Sequence, residues 1–142
     1  MGRMKMKLTI AALLVLTVVG CNSTTKSYSV MVKNESTRPV TLWLTKDGPP
    51  AEEGWLTPEQ IVKARRDLKY DLAFVPPGRT GITDKTSGQF PQGTHAVLRV
   101  YEGQKEVFDL AEAGASHWDY PLEPGTNRLR VVERDGRLSV EP

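Results

Sequence analysis

The chain has 142 residues and a formal net charge of +2, a size that one domain accounts for and that can bury a core without covalent staples. Its single cysteine excludes an intrachain disulfide, and two histidines leave too few soft ligands for a zinc centre of the usual kind. The basic residues are scattered, apart from Arg65-Arg66 and the trio Arg128, Arg130 and Arg134, so no nucleic-acid partner is expected.

The first element is a targeting segment. Arg3, Lys5 and Lys7 precede an apolar run of thirteen residues from Leu8 to Gly20, and Cys21 follows. A positive start, a short apolar centre and a small-residue exit form the plan of a secretory signal peptide. A spanning helix needs about twenty apolar residues, so the run predicts export rather than a permanent span. Val18-Val19-Gly20-Cys21 resembles the lipobox of bacterial lipoproteins. That resemblance implies a signal peptide over residues 1–20, cleavage between Gly20 and Cys21, and acyl chains on Cys21 as the chain's covalent lipid, with no other cofactor expected. Two or three acyl chains anchor stably where one is marginal, since each buried methylene adds about 0.8 kcal/mol. Asn22, where an Asp would favour inner-membrane retention, implies the periplasmic side of the outer membrane in a two-membrane cell. Loss of Arg3, Lys5 and Lys7 with the signal leaves sixteen cations against seventeen carboxylates, a balance of −1.

Residues 21–27 read as the lipidated cysteine and a short polar tether, and residues 28–142 as the folded domain. From Tyr28 the period is two: Tyr28, Val30 and Val32 share one face, then Val40, Leu42 and Leu44 another, after a turn at Asn34-Glu35-Ser36-Thr37. These two runs are expected to pair. Asn34-Glu35-Ser36 also has the N-glycosylation pattern, a meaning that the bacterial lipobox argues against. Thr57-Pro58-Glu59-Gln60 offers a capping Thr, Pro at the first helical position and Gln three residues after the cap, which predicts a short helix over Pro58 to Asp67. Ile61, Ala64 and Leu68 would form its buried face.

Strands are then expected over Leu68 to Val75, His95 to Tyr101, Lys105 to Leu110 (with Phe108 and Leu110 inward), Trp118 to Leu122 and Thr126 to Glu133. Thr80 to Gly93 reads as a loop with a short edge strand at most, and Ala111 to Ser116 as a small-residue loop or a helical turn. Asp135-Gly136 is a hairpin signal that introduces a last strand holding Leu138 and Val140. Seven or eight short strands with one short helix predict a mainly all-β fold, a small β-sandwich. The segments FVPPGRTG and LEPGTNRL look like the turn style of immunoglobulin-like and transthyretin-like extracytoplasmic domains.

Chemistry-bearing motifs are sparse. Ser116-His117-Trp118-Asp119 sets three triad residue types side by side, but triads converge from separate segments. No nucleophile elbow, phosphate loop or metal-ligand spacing occurs, so no catalytic or metal-binding residue is assigned. Trp43 lies on the strand face opposite Val40, Leu42 and Leu44, while Trp55 and Trp118 fall beside loops; exposed, the three rings would form a recognition surface. The expectation is a non-catalytic, membrane-anchored envelope lipoprotein that contacts a protein partner. A glycan- or peptide-binding module using Trp43, Trp55 and Trp118 is the alternative, and a small hydrolase or metal protein around His117 and Asp119 is the third reading.

Overall fold

The computed structural model describes residues 24–112 and 115–142, with backbone alone for 84 and 85. Eight strands, β1 (Thr24–Asn34), β2 (Val40–Lys46), β3 (Leu72–Val75), β4 (Thr80–Phe90), β5 (Ala96–Glu102), β6 (His117–Pro121), β7 (Gly125–Arg134) and β8 (Arg137–Glu141), accompany two short helices, α1 (Pro58–Ala64) and α2 (Val107–Leu110). They form two four-stranded sheets, β4-β1-β7-β8 and β3-β2-β5-β6, packed as a sandwich. β1 is central to its sheet, antiparallel to β4 and parallel to β7, with Tyr28 opposite Gly125 and Asn34 opposite Val131.

The period-two faces meet between the sheets. Tyr28, Val30 and Val32 of β1 join Leu129 and Val131 of β7 in one layer; Val40, Leu42 and Leu44 of β2 join Ala96, Leu98 and Val100 of β5 in the other. Tyr28, Trp55 and Phe90 close one end of this core, with Trp55 edge-on to both partners at centroid separations of 5.6 and 5.0 Å. Such ring pairs are worth about 0.5–1.5 kcal/mol beyond their buried area.

The β3-β2-β5-β6 sheet is also covered on its other side. Trp43 and Tyr101 point away from the sandwich core and are met by Ile61 of α1 and Leu110 of α2. Every residue of β2 is consequently buried, the signature of a strand with apolar layers on both faces. α1 begins as its sequence predicts: the Thr57 hydroxyl accepts from the Gln60 amide and the Gln60 side chain accepts from the Thr57 amide. It ends at Ala64, three residues short of the expected boundary, because Arg65 turns left-handed (φ 51°) and closes the last turn through Val62.

Several expectations are corrected. Residues 28–33 and 40–45 do not pair; they lie in opposite sheets, joined by a corner at Asn34. Lys105 to Leu110 is not a strand: Val107 and Leu110 pack at helical spacing in α2, which leaves Phe108 outward. The strand expected from Leu68 starts only at Leu72. Thr80–Phe90 is a full eleven-residue strand, and Thr24 to Ser27, read as tether, pair with its end from Phe90 to Ser87. The Asp135-Gly136 hairpin forms as predicted, with φ of 52° and 73° at its two central residues.

β4 carries little apolar signal because its inward positions are crowded. A Cβ on Gly88 would lie 2.5 Å from Trp55 Nε1 and 2.9 Å from Glu52 Oε2, and the Trp55 ring, held by its bond to the Ser87 carbonyl at 2.9 Å, has no room to retreat. Gly88→Ala is therefore expected to destabilise the fold by about 1–3 kcal/mol, the usual cost of overpacking a dense core. A urea midpoint equal to wild type would refute that packing argument.

Candidate interaction surface

The structure separates the residues proposed from sequence. Gly20 and Cys21, with the whole segment 1–20, lie outside the described residues. Trp43 is fully buried beneath α1, its Nε1 donating to the Leu56 carbonyl at 2.9 Å. Trp55 is fully buried in the sandwich core. Trp118 is half-buried in β6 and packs against the same core. The three rings therefore form no common exposed platform: the faces expected to meet a ligand are spent on packing.

His117 and Asp119 do meet. They lie on one face of β6, with His117 Nδ1 2.8 Å from Asp119 Oδ1, opposite Tyr101 and Arg99 of β5. Arg99 Nη1 reaches Glu59 Oε2 and the Tyr101 hydroxyl, each at 3.3 Å, and Arg99 Nε lies 3.8 Å from Asp119. Burial raises the Tyr101 hydroxyl above its ordinary range, and the Arg99 guanidinium opposes that rise without cancelling it. For Glu59 burial works against ionisation, but its own backbone amide, the Thr57 hydroxyl and Arg99 hold the carboxyl below its usual range. Each charge here is answered by a neighbour from the same fold. The cluster locks the start of α1 onto β5 and β6, and Ser116 makes no hydrogen bond to His117. Among the described residues, no group of three or more His, Cys, Asp or Glu side chains is placed to hold a metal ion.

A different surface emerges between the helices. Four large apolar side chains are exposed among the described residues, and two of them, Phe108 (70 %) and Tyr70 (43 %), line one groove of about 670 Å³ between the end of α1 and α2. Ile61, Val62, Leu68 and Val107 supply apolar walls, while Arg65, Arg66 and Asp67 form the rim. The Tyr70 ring stacks on Trp43 with centroids 4.9 Å apart and planes 18° from parallel, so the groove rests on the rigid second face of the sheet. Concavity, an apolar lining and a few polar rim groups are the usual make-up of a binding surface.

Strand alternation over Lys105 to Leu110 would turn Phe108 inward, which hides this groove from the sequence. The available signal was the spacing: Val107 and Leu110 stand three apart, and Asp109 stands three after Glu106, whose amide donates to the Asp109 carboxylate at 3.1 Å. That is a one-turn helix with Phe108 on its far side. In comparisons with known proteins, no family model matches the chain and no curated sequence matches it.

Proposed function

We propose that this chain is a lipid-anchored, non-catalytic protein of the bacterial cell envelope, whose β-sandwich holds a protein partner at the α1–α2 groove. The observation that carries the partner-binding part is Phe108, 70 % exposed beside a stacked aromatic floor where packing would have hidden it. An aromatic anchor in a desolvated pocket is the typical centre of an interface. The anchoring part rests on the lipobox resemblance at Val18-Val19-Gly20-Cys21. Only Asn22 and Ser23 separate Cys21 from the first residue of β1, a reach of about 10 Å at 3.3–3.6 Å per residue. The partner accordingly belongs to the same membrane surface.

Each part has its own test. Cys21→Ser is expected to abolish acyl labelling and leave an unprocessed precursor in cells; labelling and maturation at wild-type levels would sink the anchor. For the groove, a photo-crosslinking residue at position 62, which also lines it, should capture one membrane-associated protein in native membranes, and a probe at exposed Ile82 on the other sheet should not. Phe108→Ser should lower that capture at least tenfold, about 1.4 kcal/mol of binding. Its folding midpoint should stay at wild type, because the side chain contributes little to the core. Equal capture from both positions, or capture indifferent to Phe108→Ser, would remove the groove from the proposal.

A further inference from the structure

We infer that the occupant of the α1–α2 groove is an acidic peptide segment carrying one large apolar side chain, an inference that rests on the partner-binding reading above. The apolar half follows from the lining: a side chain entering beside Phe108 meets Tyr70, Ile61 and Leu68. The acidic half follows from the charges that the fold leaves unanswered. Between residues 63 and 69 stand four cations, Lys63, Arg65, Arg66 and Lys69, against one carboxylate, Asp67, while the rest of residues 21–142 carries twelve cations against sixteen carboxylates.

Four arginines pair within the fold, while Arg79, Arg128 and Arg137, like Arg65 and Arg66, make no side-chain ion pair among the described residues; of these five, only Arg65 and Arg66 line the α1–α2 groove. Arg38 binds Glu102 and Glu133 at 3.1 and 3.0 Å, Arg99 binds Glu59 at 3.3 Å, and Arg130 and Arg134 bind Glu141 at 2.9 and 2.6 Å. Arg65 and Arg66, on the groove rim, make no ion pair or side-chain hydrogen bond among the described residues. The facing helix does not supply their missing carboxylates. Asp109 is held by the Glu106 amide and, with Glu112, lines a separate depression around Tyr101 and Lys105. Two free guanidiniums flanking an apolar slot match carboxylates flanking an apolar side chain, since planar guanidinium is suited to carboxylate recognition.

The backbone adds an independent sign. Arg65 occupies the left-handed position that ends α1, where glycine is the default because a Cβ is disfavoured there. Arg65→Gly is thus expected to raise the thermal midpoint, by about 4 °C for a chain of this size, while weakening the partner contact. A residue present only for its own helix cap would show the first effect without the second. The concavity of the site favours a protruding peptide side chain over a flat lipid surface, which makes an anionic bilayer the competing outcome.

The test is a selection of random twelve-residue displayed peptides on the immobilised full-length chain, followed by affinity measurements on the enriched sequences. Enrichment is expected in Asp and Glu, at least twofold over the unselected library, around one Phe, Trp, Leu or Ile. Those peptides should bind the Arg65→Ala/Arg66→Ala chain and the Phe108→Ser chain at least tenfold more weakly, and added salt should weaken them further. Neutral or basic winners that still depend on Phe108 would overturn the acidic assignment while leaving the groove reading intact. Winners indifferent to Phe108, or no enrichment at all, would overturn both. Arginine-dependent capture of phosphatidylglycerol vesicles, without enrichment of acidic peptides, would replace the peptide by a membrane surface.

Discussion

Asn34→Ala is expected to cost about 3–5 kcal/mol of folding stability, a large share of the roughly 5–15 kcal/mol that holds a domain of this size together. Asn34 is fully buried at the end of β1, where the chain leaves one sheet for the other. Its Nδ2 donates to the carbonyls of Arg38 and Val75 at 2.7 and 3.0 Å, and its Oδ1 accepts from the amide and hydroxyl of Ser36 at 3.0 and 2.7 Å. The backbone of Asn34 completes the corner, bonding Arg79 at 2.9 Å and Gly78 at 2.7 Å. Alanine would strand several buried polar groups at once, each costing about 1–3 kcal/mol when unsatisfied. Asn34→Asp separates hydrogen bonding from shape: it keeps the acceptor but turns a carboxylate toward two carbonyl oxygens. Its urea midpoint should fall at least as far as that of the alanine variant at neutral pH and recover partly where the acid is protonated. A midpoint within about 0.5 kcal/mol of wild type for Asn34→Ala would show that the corner is held elsewhere.

The second large effect is expected at Glu52. Lys46 follows the inward parity of β2, and its ammonium, with a side chain only 2 % exposed, sits against the Phe90 ring at 5.0 Å. It donates to the Glu52 carboxylate and to the Gln89 carbonyl, and the Gln89 amide in turn donates to Glu52 at 3.0 Å. Glu52→Ala would leave a buried cation without its anion, an error worth about 3–5 kcal/mol. Lys46→Met together with Glu52→Gln removes both charges and keeps an acceptor for the Gln89 amide, so the double variant should recover most of that loss. A double variant less stable than Glu52→Ala would refute the pairing.

The same site carries a pH dependence. Burial disfavours the ionised Glu52, yet the bonds from Lys46 and the Gln89 amide outweigh it and hold the carboxyl below its ordinary 4.5. A carboxyl lowered in the folded state contributes stability that is whole above its unfolded value and lost as pH falls through the folded one. Glu59 and Glu133 are lowered too, so the acid limb is shared. The Glu52 part is the difference between wild type and Glu52→Gln, and that difference should shrink as pH falls below about 4.

The legible parts of this fold are those whose signal is local. Alternation along β1, β2, β5 and β7 named the inward residues, the capping box named the start of α1, and Asp135-Gly136 named the final hairpin. Pairing was not local and was misread: Val32 and Val40 are only eight positions apart, yet the buried Asn34 sends their strands to different sheets. β4 was missed because bulky neighbours dictate Gly81 and Gly88 at its inward positions, and Thr83 accepts the Val30 amide at 3.1 Å where an apolar side chain would be expected. Trp43 was assigned to the correct face, but whether that face meets water depends on α1, which a strand pattern cannot report. The groove was illegible for a related reason, since Val107, Phe108 and Leu110 fit a strand nearly as well as one turn of helix.

The parallel pairing of β1 with β7 also sets the order in which this protein can be finished. β1 is made first, yet its partners are among the later parts of the chain: Thr80 to Phe90 on one side and Gly125 to Val131 on the other. Because the chain is delivered N-terminus first, Tyr28 has no β7 to pair with until the residues through Gly125 have followed it. During that time one edge of the future central strand has no ladder to join, and a chain halted short of β7 keeps an open strand template. The C-terminal third therefore controls when the domain closes, and truncations there should be cleared by proteolysis rather than persist as smaller folded forms.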